Sequence, residues 1–153
     1  GDLTVASLPK ARGEAPEHQV ETLARGDEKL VLDHTTGLMW QATGSYKHSS
    51  SGLVKAGEID AYLAGLNGSK VGGYSDWRLP TVEELASVVA GEKTDASGAL
   101  LAGFEPGAAW FTLTSDRVKG DDSVVWTIDI GSGDLMKYSS TDEYYVLLVR
   151  TAK

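Results

Sequence analysis

Apolar positions along the chain change rhythm twice, from alternation to a helical period and back to alternation. The first part holds short β-prone runs. Residues 20–23 form one, and Lys29-Leu30-Val31-Leu32 leads through Asp33-His34-Thr35-Thr36-Gly37 into Leu38-Met39-Trp40, which predicts strand, turn and strand with Gly37 taking a positive φ. Residues 41–52 are rich in serine and glycine and are predicted as a loop. Ile59, Tyr62, Leu63 and Leu66 then fall at i, i+3, i+4 and i+7, predicting a helix over 54–66 that Asn67-Gly68 stops. Thr81-Val82-Glu83-Glu84 is a capping-box sequence, in which hydroxyl and carboxylate each satisfy a backbone N–H left free at a helix start. Val82, Leu85, Ala86 and Val89 continue that helix to Gly91, and Pro80 stands before the cap, where its missing N–H costs nothing.

Loop character then runs to the pair Trp110-Phe111. Val124, Trp126, Ile128 and Ile130 alternate with Val125, Thr127 and Asp129, predicting a strand whose better buried face carries the first set. Gly131-Ser132-Gly133 predicts a hairpin turn into 135–138, and 144–149 is apolar at every position, as in a central strand covered on both faces. Residues 1–19, with Pro9 and Pro16 and no apolar period, read as an arm or linker ahead of a domain over 20–153. The chain opens on Gly1 without a basic-then-apolar leader, which reads as processed or trimmed.

At 153 residues, 41% apolar and 24% charged, the composition is that of one globular domain and excludes collagen-like and disordered classes. The closing apolar run is far short of the roughly 20 residues a membrane helix needs, so no bilayer insertion is expected. The net charge is -8 and the basic residues are scattered from Lys10 to Lys153, which argues against nucleic acid as a partner. There is no cysteine, which removes thiol nucleophiles, thiolate metal sites and disulfides together.

The blocks Thr36-Gly37-Leu38-Met39-Trp40, Gly73-Tyr74-Ser75-Asp76-Trp77-Arg78-Leu79-Pro80-Thr81 with Glu84-Leu85, the strand pair around Trp126, and Tyr145-Val146-Leu147-Leu148-Val149-Arg150 occur in one order. In these the chain resembles, over about residues 20–150, the C-terminal domain family of the Legionella collagen-like adhesin. The resemblance implies an α+β, C-type-lectin-like fold, with two helices on a twisted antiparallel sheet and the first and last strands close together. It also implies a secreted, surface or periplasmic location and, from the founding adhesin, a trimer that binds sulfated polysaccharides. Two positions where the family commonly carries cysteines fall on Leu63 and Leu148, so the two leucines are expected to touch. The family's aromatic-Trp-Ser-Ser-Thr block corresponds to Trp110-Phe111-Thr112-Leu113-Thr114, with altered polarity. A chain of charge -8 without a basic patch repels sulfated ligands.

The side chains suggest no catalysis. His18, His34 and His48 are dispersed, with no zinc spacing, and no Gly-x-Ser-x-Gly elbow is present. The glycines between Gly68 and Gly73 follow a helix and lack a phosphate-loop ending. Asp116, Asp121 and Asp122 form an acidic loop cluster that offers calcium as the only cofactor to consider; the expectation is none. Trp40, Leu63, Asp76, Trp77, Arg78, Trp126 and Leu148 are assigned to structure. The sequence therefore predicts a non-catalytic, extracytoplasmic binding or adhesion module for a glycan or protein, with a structural subunit of a surface appendage or envelope complex as the alternative. The ligand face is placed between 112 and 145, on Thr114, Asp116, Arg117, Lys119, Asp121, Tyr138 and Tyr144, because Arg and Tyr are enriched at binding hot spots. The strand at 20–23 is expected to pair with 144–149, bringing the chain ends to one side.

Overall fold

Strands β1 (Val20–Arg25), β2 (Glu28–Asp33) and β3 (Leu38–Gln41) follow one another as an antiparallel meander. The computed structural model describes residues 19–89, 103–105 and 111–152. The arm at 1–18, His18, the helix stop at Gly91 and Trp110 of the aromatic block lie outside them. At the β2–β3 turn Gly37 takes φ +75° and its N–H reaches the Asp33 carbonyl at 2.8 Å, while the Asp33 carboxylate accepts from Thr35 N at 2.9 Å.

The serine-rich 41–52 segment is not wholly loop: a single turn of helix, α1 (Ser45–His48), forms within it. The reason is a clamp on the closing segment, which the sequence conceals. Ser45 N donates to the Val146 carbonyl at 2.8 Å, and Ser45 Oγ accepts from Val146 N at 2.9 Å. Gly44 holds φ +69°, and a Cβ there would stand 2.5 Å from the Val146 carbonyl oxygen, so only glycine fits. The next helix begins later than its period suggests. Val54–Lys55 forms a short strand β4, Ala56–Glu58 a 3-10 turn, and α2 runs over Ile59–Gly68, through rather than up to Asn67. A further helix, α3, covers Val82–Ser87 with both halves of the capping box in place.

Strands β5 (Phe111–Val118), β6 (Asp121–Asp129) and β7 (Asp134–Ser139) make a second meander, β8 (Glu143–Tyr144) pairs with β4, and β9 (Val149–Thr151) pairs with β3. The architecture is mixed α+β, with one sheet in the order β1-β2-β3-β9, one in the order β5-β6-β7, and the β4-β8 ribbon. The expected pairing of the first strand with the closing segment is corrected: among the described residues β1 pairs with β2 alone, and it is β3 that meets β9. In register, Val20, Asp33, Leu38 and Thr151 form one row, so β1 begins and β9 ends at the same end of the sheet. Three strand spacings put those ends roughly 14 Å apart.

The closing segment 144–149 is buried on both sides as expected, but it is not one continuous strand. It serves three neighbours in turn, because it passes between the sheets: β4 at Tyr144, β5 through Tyr145 N to Phe111 O and Leu113 N to Tyr145 O, then β3 and the antiparallel bridge to Arg78 at Val149. Its side chains alternate between two cores. Tyr145, Leu147 and Val149 join Val31, Trp40, Leu85 and Ile128 on the α3 side, while Tyr144, Val146 and Leu148 join Leu30, Met39, Ile59 and Trp77 on the α2 side. Leu148 is fully buried in the latter core and Leu63 packs on its rim, which places both leucines in one cluster.

The predicted burial of β6 is also corrected. Ile128 and Ile130 are buried, but Val124 and Trp126 are half-buried, whereas Val125 and Thr127 on the opposite face are buried. The cause is that both faces of this sheet are covered at one end, while the α3-side cover stops short of Trp126. No helix among the described residues is long and apolar enough to cross a membrane.

Candidate functional site

The block from Tyr74 to Thr81 folds as a scaffold. Asn67 on α2 accepts from Trp77 N at 2.8 Å and donates to Trp77 O at 3.0 Å, and Trp77 Nε1 donates to the Val71 carbonyl at 2.8 Å. Asp76 takes Arg150 at 2.6 Å, and Arg150 lies 3.8 Å above the Tyr74 ring; that hydrogen bond holds the Asp76 carboxyl below its ordinary range. Arg78 forks onto Glu84 at 2.7 and 2.8 Å, while Glu84 also accepts from Thr81 N at 2.9 Å. The Arg78 guanidinium holds the Glu84 carboxyl below its ordinary value, with the Thr81 bonds adding to it.

This scaffold delivers the start of α3 to β5, where the sheet is irregular. Leu113 opposes Thr127 and Arg117 opposes Val125, so β5 carries a bulge over 114–116. A bulge re-aims side chains and is common beside functional sites. Here it is stitched to the α3 lead-in: Ser115 N donates to Pro80 O at 2.8 Å, and Val82 N donates to Asp116 Oδ2 at 2.6 Å. Arg117 bends back, giving one terminal nitrogen to the Thr114 and Asp116 carbonyls at 2.7 and 2.9 Å.

Between α3 and the sheet lies an open cleft of about 550 Å³, with Glu83 at one lip, Asp116 and Arg117 at the other, and Trp126 and Leu135 beneath. Cross-strand pairing puts Lys137 opposite Trp126, with its Nζ 5.5 Å from the indole centre, so the ring's electron-rich face already holds a cation. Chemically, the cleft offers an aromatic surface, an apolar floor, two carboxylates and a guanidinium, which is a combination for stacking a ring and bonding its hydroxyls.

Of the candidates read from sequence, Asp116 and Arg117 meet at this cleft, and the others do not. Thr114 is fully buried beneath it, donating to the Trp126 carbonyl at 2.8 Å. Lys119 and Asp121 are exposed at the β5–β6 turn, where Asp121 accepts from Ser123 N and Oγ and those bonds lower its carboxyl. Tyr138 stacks on Phe111 at 4.7 Å on the opposite face of the sheet, opposite Val125. Tyr144 is 3% exposed, its hydroxyl donating to Ser139 O at 2.5 Å, and burial raises its phenol. Thr114 and Tyr144 thus lie in the interior of the folded chain.

Trp126, assigned to structure from its alternation, and Glu83, which the sequence did not single out, both line this cleft. Asp116, Asp121 and Asp122 do not converge, and no group of three His, Asp or Glu able to hold a metal ion occurs among the described residues. Among known families, the model described as the Lcl C-terminal domain matches residues 29–150. No curated protein and no solved structure matches the chain.

Proposed function

The chain belongs to the Lcl C-terminal domain family, and from that premise we propose that it is a non-catalytic, extracytoplasmic adhesion module of C-type-lectin-like fold that binds an uncharged glycan in the Trp126 cleft. Family membership supports an adhesin-associated module. The single observation that carries the ligand assignment is a half-buried tryptophan facing an open cleft beside Arg117, Asp116 and Glu83. An indole presents a flat apolar face to the C–H side of a sugar ring, and carboxylates and a guanidinium bond its hydroxyls. The -8 net charge directs the preference to neutral rather than sulfated glycans. A start of β1 and an end of β9 at one end of the sheet leaves the β5–β7 meander to face outward from a stalk or larger chain.

A second reading, a structural subunit of a surface appendage, draws support from β7, which among the described residues pairs only with β6, an edge that another chain could extend. A glycan array at physiological salt, with and without calcium, separates the two. Binding to neutral glycans, lost on Trp126→Ala, supports the adhesion module. An empty array together with concentration-dependent assembly supports the structural subunit.

A further inference from the structure

A second cleft, of about 500 Å³, shares no lining residue with the Trp126 cleft and lies between the β1–β2 turn, α1 and the 3-10 turn at Val71–Gly73. Glu28 stands in its wall and is 4% exposed. A carboxylate that deep is expected to have both oxygens engaged. Only one is: Oε1 accepts from His48 Nε2 at 3.0 Å and has Lys47 Nζ at 3.6 Å, while Oε2 is buried with no partner. Beneath the same sheet face, Tyr62 on α2 has a buried hydroxyl that is also without a partner, and burial together with the Glu28 charge raises its phenol. Gln41 pairs with Leu30, on the face Glu28 shares by alternation, and both its amide atoms are likewise buried and unpartnered.

Charge in the wall decides what these groups suit. Arg25 and Lys70 balance Asp27 and Glu28, so neither an anion nor an organic cation is favoured over the other. No group of three His, Asp or Glu that could hold a metal ion occurs among the described residues, and the wall gives no preference for a cation. What remains is a neutral ligand with adjacent hydroxyls, one donating to a carboxylate and its neighbour accepting from a cationic side chain. His48 lines this cleft and also a neighbouring groove of about 560 Å³ that contains Tyr62, it sits on the one-turn α1, and a single bond ties it to Glu28. Because Oε2 is itself buried, its use by a ligand requires this side chain to turn aside.

We propose that this cleft is a second carbohydrate subsite, in which Glu28 Oε2 accepts a hydroxyl of a neutral sugar residue whose vicinal hydroxyl is held by Lys70 or Arg25. The subsite is independent of the Trp126 cleft and does not rest on it. The two together make the module bivalent toward a glycan chain, so weak single-site affinities multiply on a multivalent surface.

The test is amide NMR of the full chain titrated with methyl glucoside, methyl mannoside and methyl galactoside separately, at neutral pH with EDTA present. For at least one sugar, saturable shifts are expected at Arg25, Lys70, Gly72 and Gly73. They should persist in Trp126→Ala and weaken at least tenfold in Glu28→Gln. Because Glu28 also ties α1 to β2, Lys70→Ala serves as a second variant: it is exposed and leaves the Glu28 bonds intact, and a weakening of severalfold is expected. Shifts confined to the Trp126 cleft, shifts that need calcium, or equal titrations in wild type, Glu28→Gln and Lys70→Ala each overturn the proposal. Loss of these shifts in Trp126→Ala would also overturn it, by making the two clefts one site.

Discussion

Replacing Glu84 with glutamine removes a charge and leaves the shape, which isolates the Arg78–Glu84 ion pair behind the start of α3. Glutamine still completes a capping box with Thr81, so the Thr81 N bond survives. What disappears is the charge and one arm of the fork to Arg78, since an amide nitrogen cannot accept; the Arg78 side chain is 40% exposed against 23% for Glu84. An exposed pair is worth about 0–1 kcal/mol and breaking a buried one costs about 3–5, so this half-buried bidentate pair should contribute about 1–2 kcal/mol after screening. In a domain of this size each kcal/mol moves Tm by roughly 2–4 °C, which predicts a fall of about 2–8 °C at pH 7. Calorimetry of wild type, Glu84→Gln, Arg78→Gln and the double variant should give a coupling of about 1–2 kcal/mol between the two sites. The pH dependence has a fixed sign. The folded carboxyl titrates below its ordinary 4.5, so its contribution is complete above that value and is lost as pH falls through the folded pKa. The difference between wild type and Glu84→Gln should therefore narrow as pH falls below 4.5 and through the folded pKa. A Tm at pH 7 within a degree of wild type, or a difference that widens as pH falls below 4.5, would refute the reasoning.

Asn67→Ala should destabilise by about 2–4 kcal/mol, since both amide bonds go and the Trp77 backbone N–H and C=O lose their partners; urea unfolding reads it. Gly44→Ala should cost at least about 3 kcal/mol or abolish soluble expression, because a 2.5 Å clash with a backbone oxygen adds to an unfavourable φ, whereas Gly37→Ala, with open space around it, should cost about 1–2. Leu63→Ala should cost about 1–3 kcal/mol by chemical denaturation, less than a fully buried leucine, because Leu63 packs at the rim of its core.

What the sequence made legible was local. The capping box at Thr81, the positive-φ turn at Gly37, the helical stripe from Ile59 to Leu66 and the two-sided burial of 144–149 each follow from spacing within a few residues. What it concealed was set across long separations. Whether 20–23 pairs with 144–149 or with its own hairpin partner depends on strand order, which no local period encodes. The turn at α1 exists because Ser45 bonds Val146, a residue 101 positions away. The site was half visible for the same reason. Asp116 and Arg117 stood out as charges in a loop-and-strand region, but Trp126 was read as core because alternation alone cannot tell which part of a strand its neighbours leave uncovered. Glu28, a charged residue at a strand start, gave no sign of burial until the chain closed over it.

The central claim is that ligand binds at the Trp126 cleft on one face of the β5–β7 sheet, and isothermal titration with the strongest neutral glycan from the array tests it most directly. Wild type, Trp126→Ala, Arg117→Ala and Tyr138→Ala are compared, each first shown to keep its melting transition. The account predicts at least a tenfold loss of affinity for Trp126→Ala, a smaller loss for Arg117→Ala, and none for Tyr138→Ala on the opposite face. Wild-type affinity in Trp126→Ala, or a loss confined to Tyr138→Ala, would contradict it.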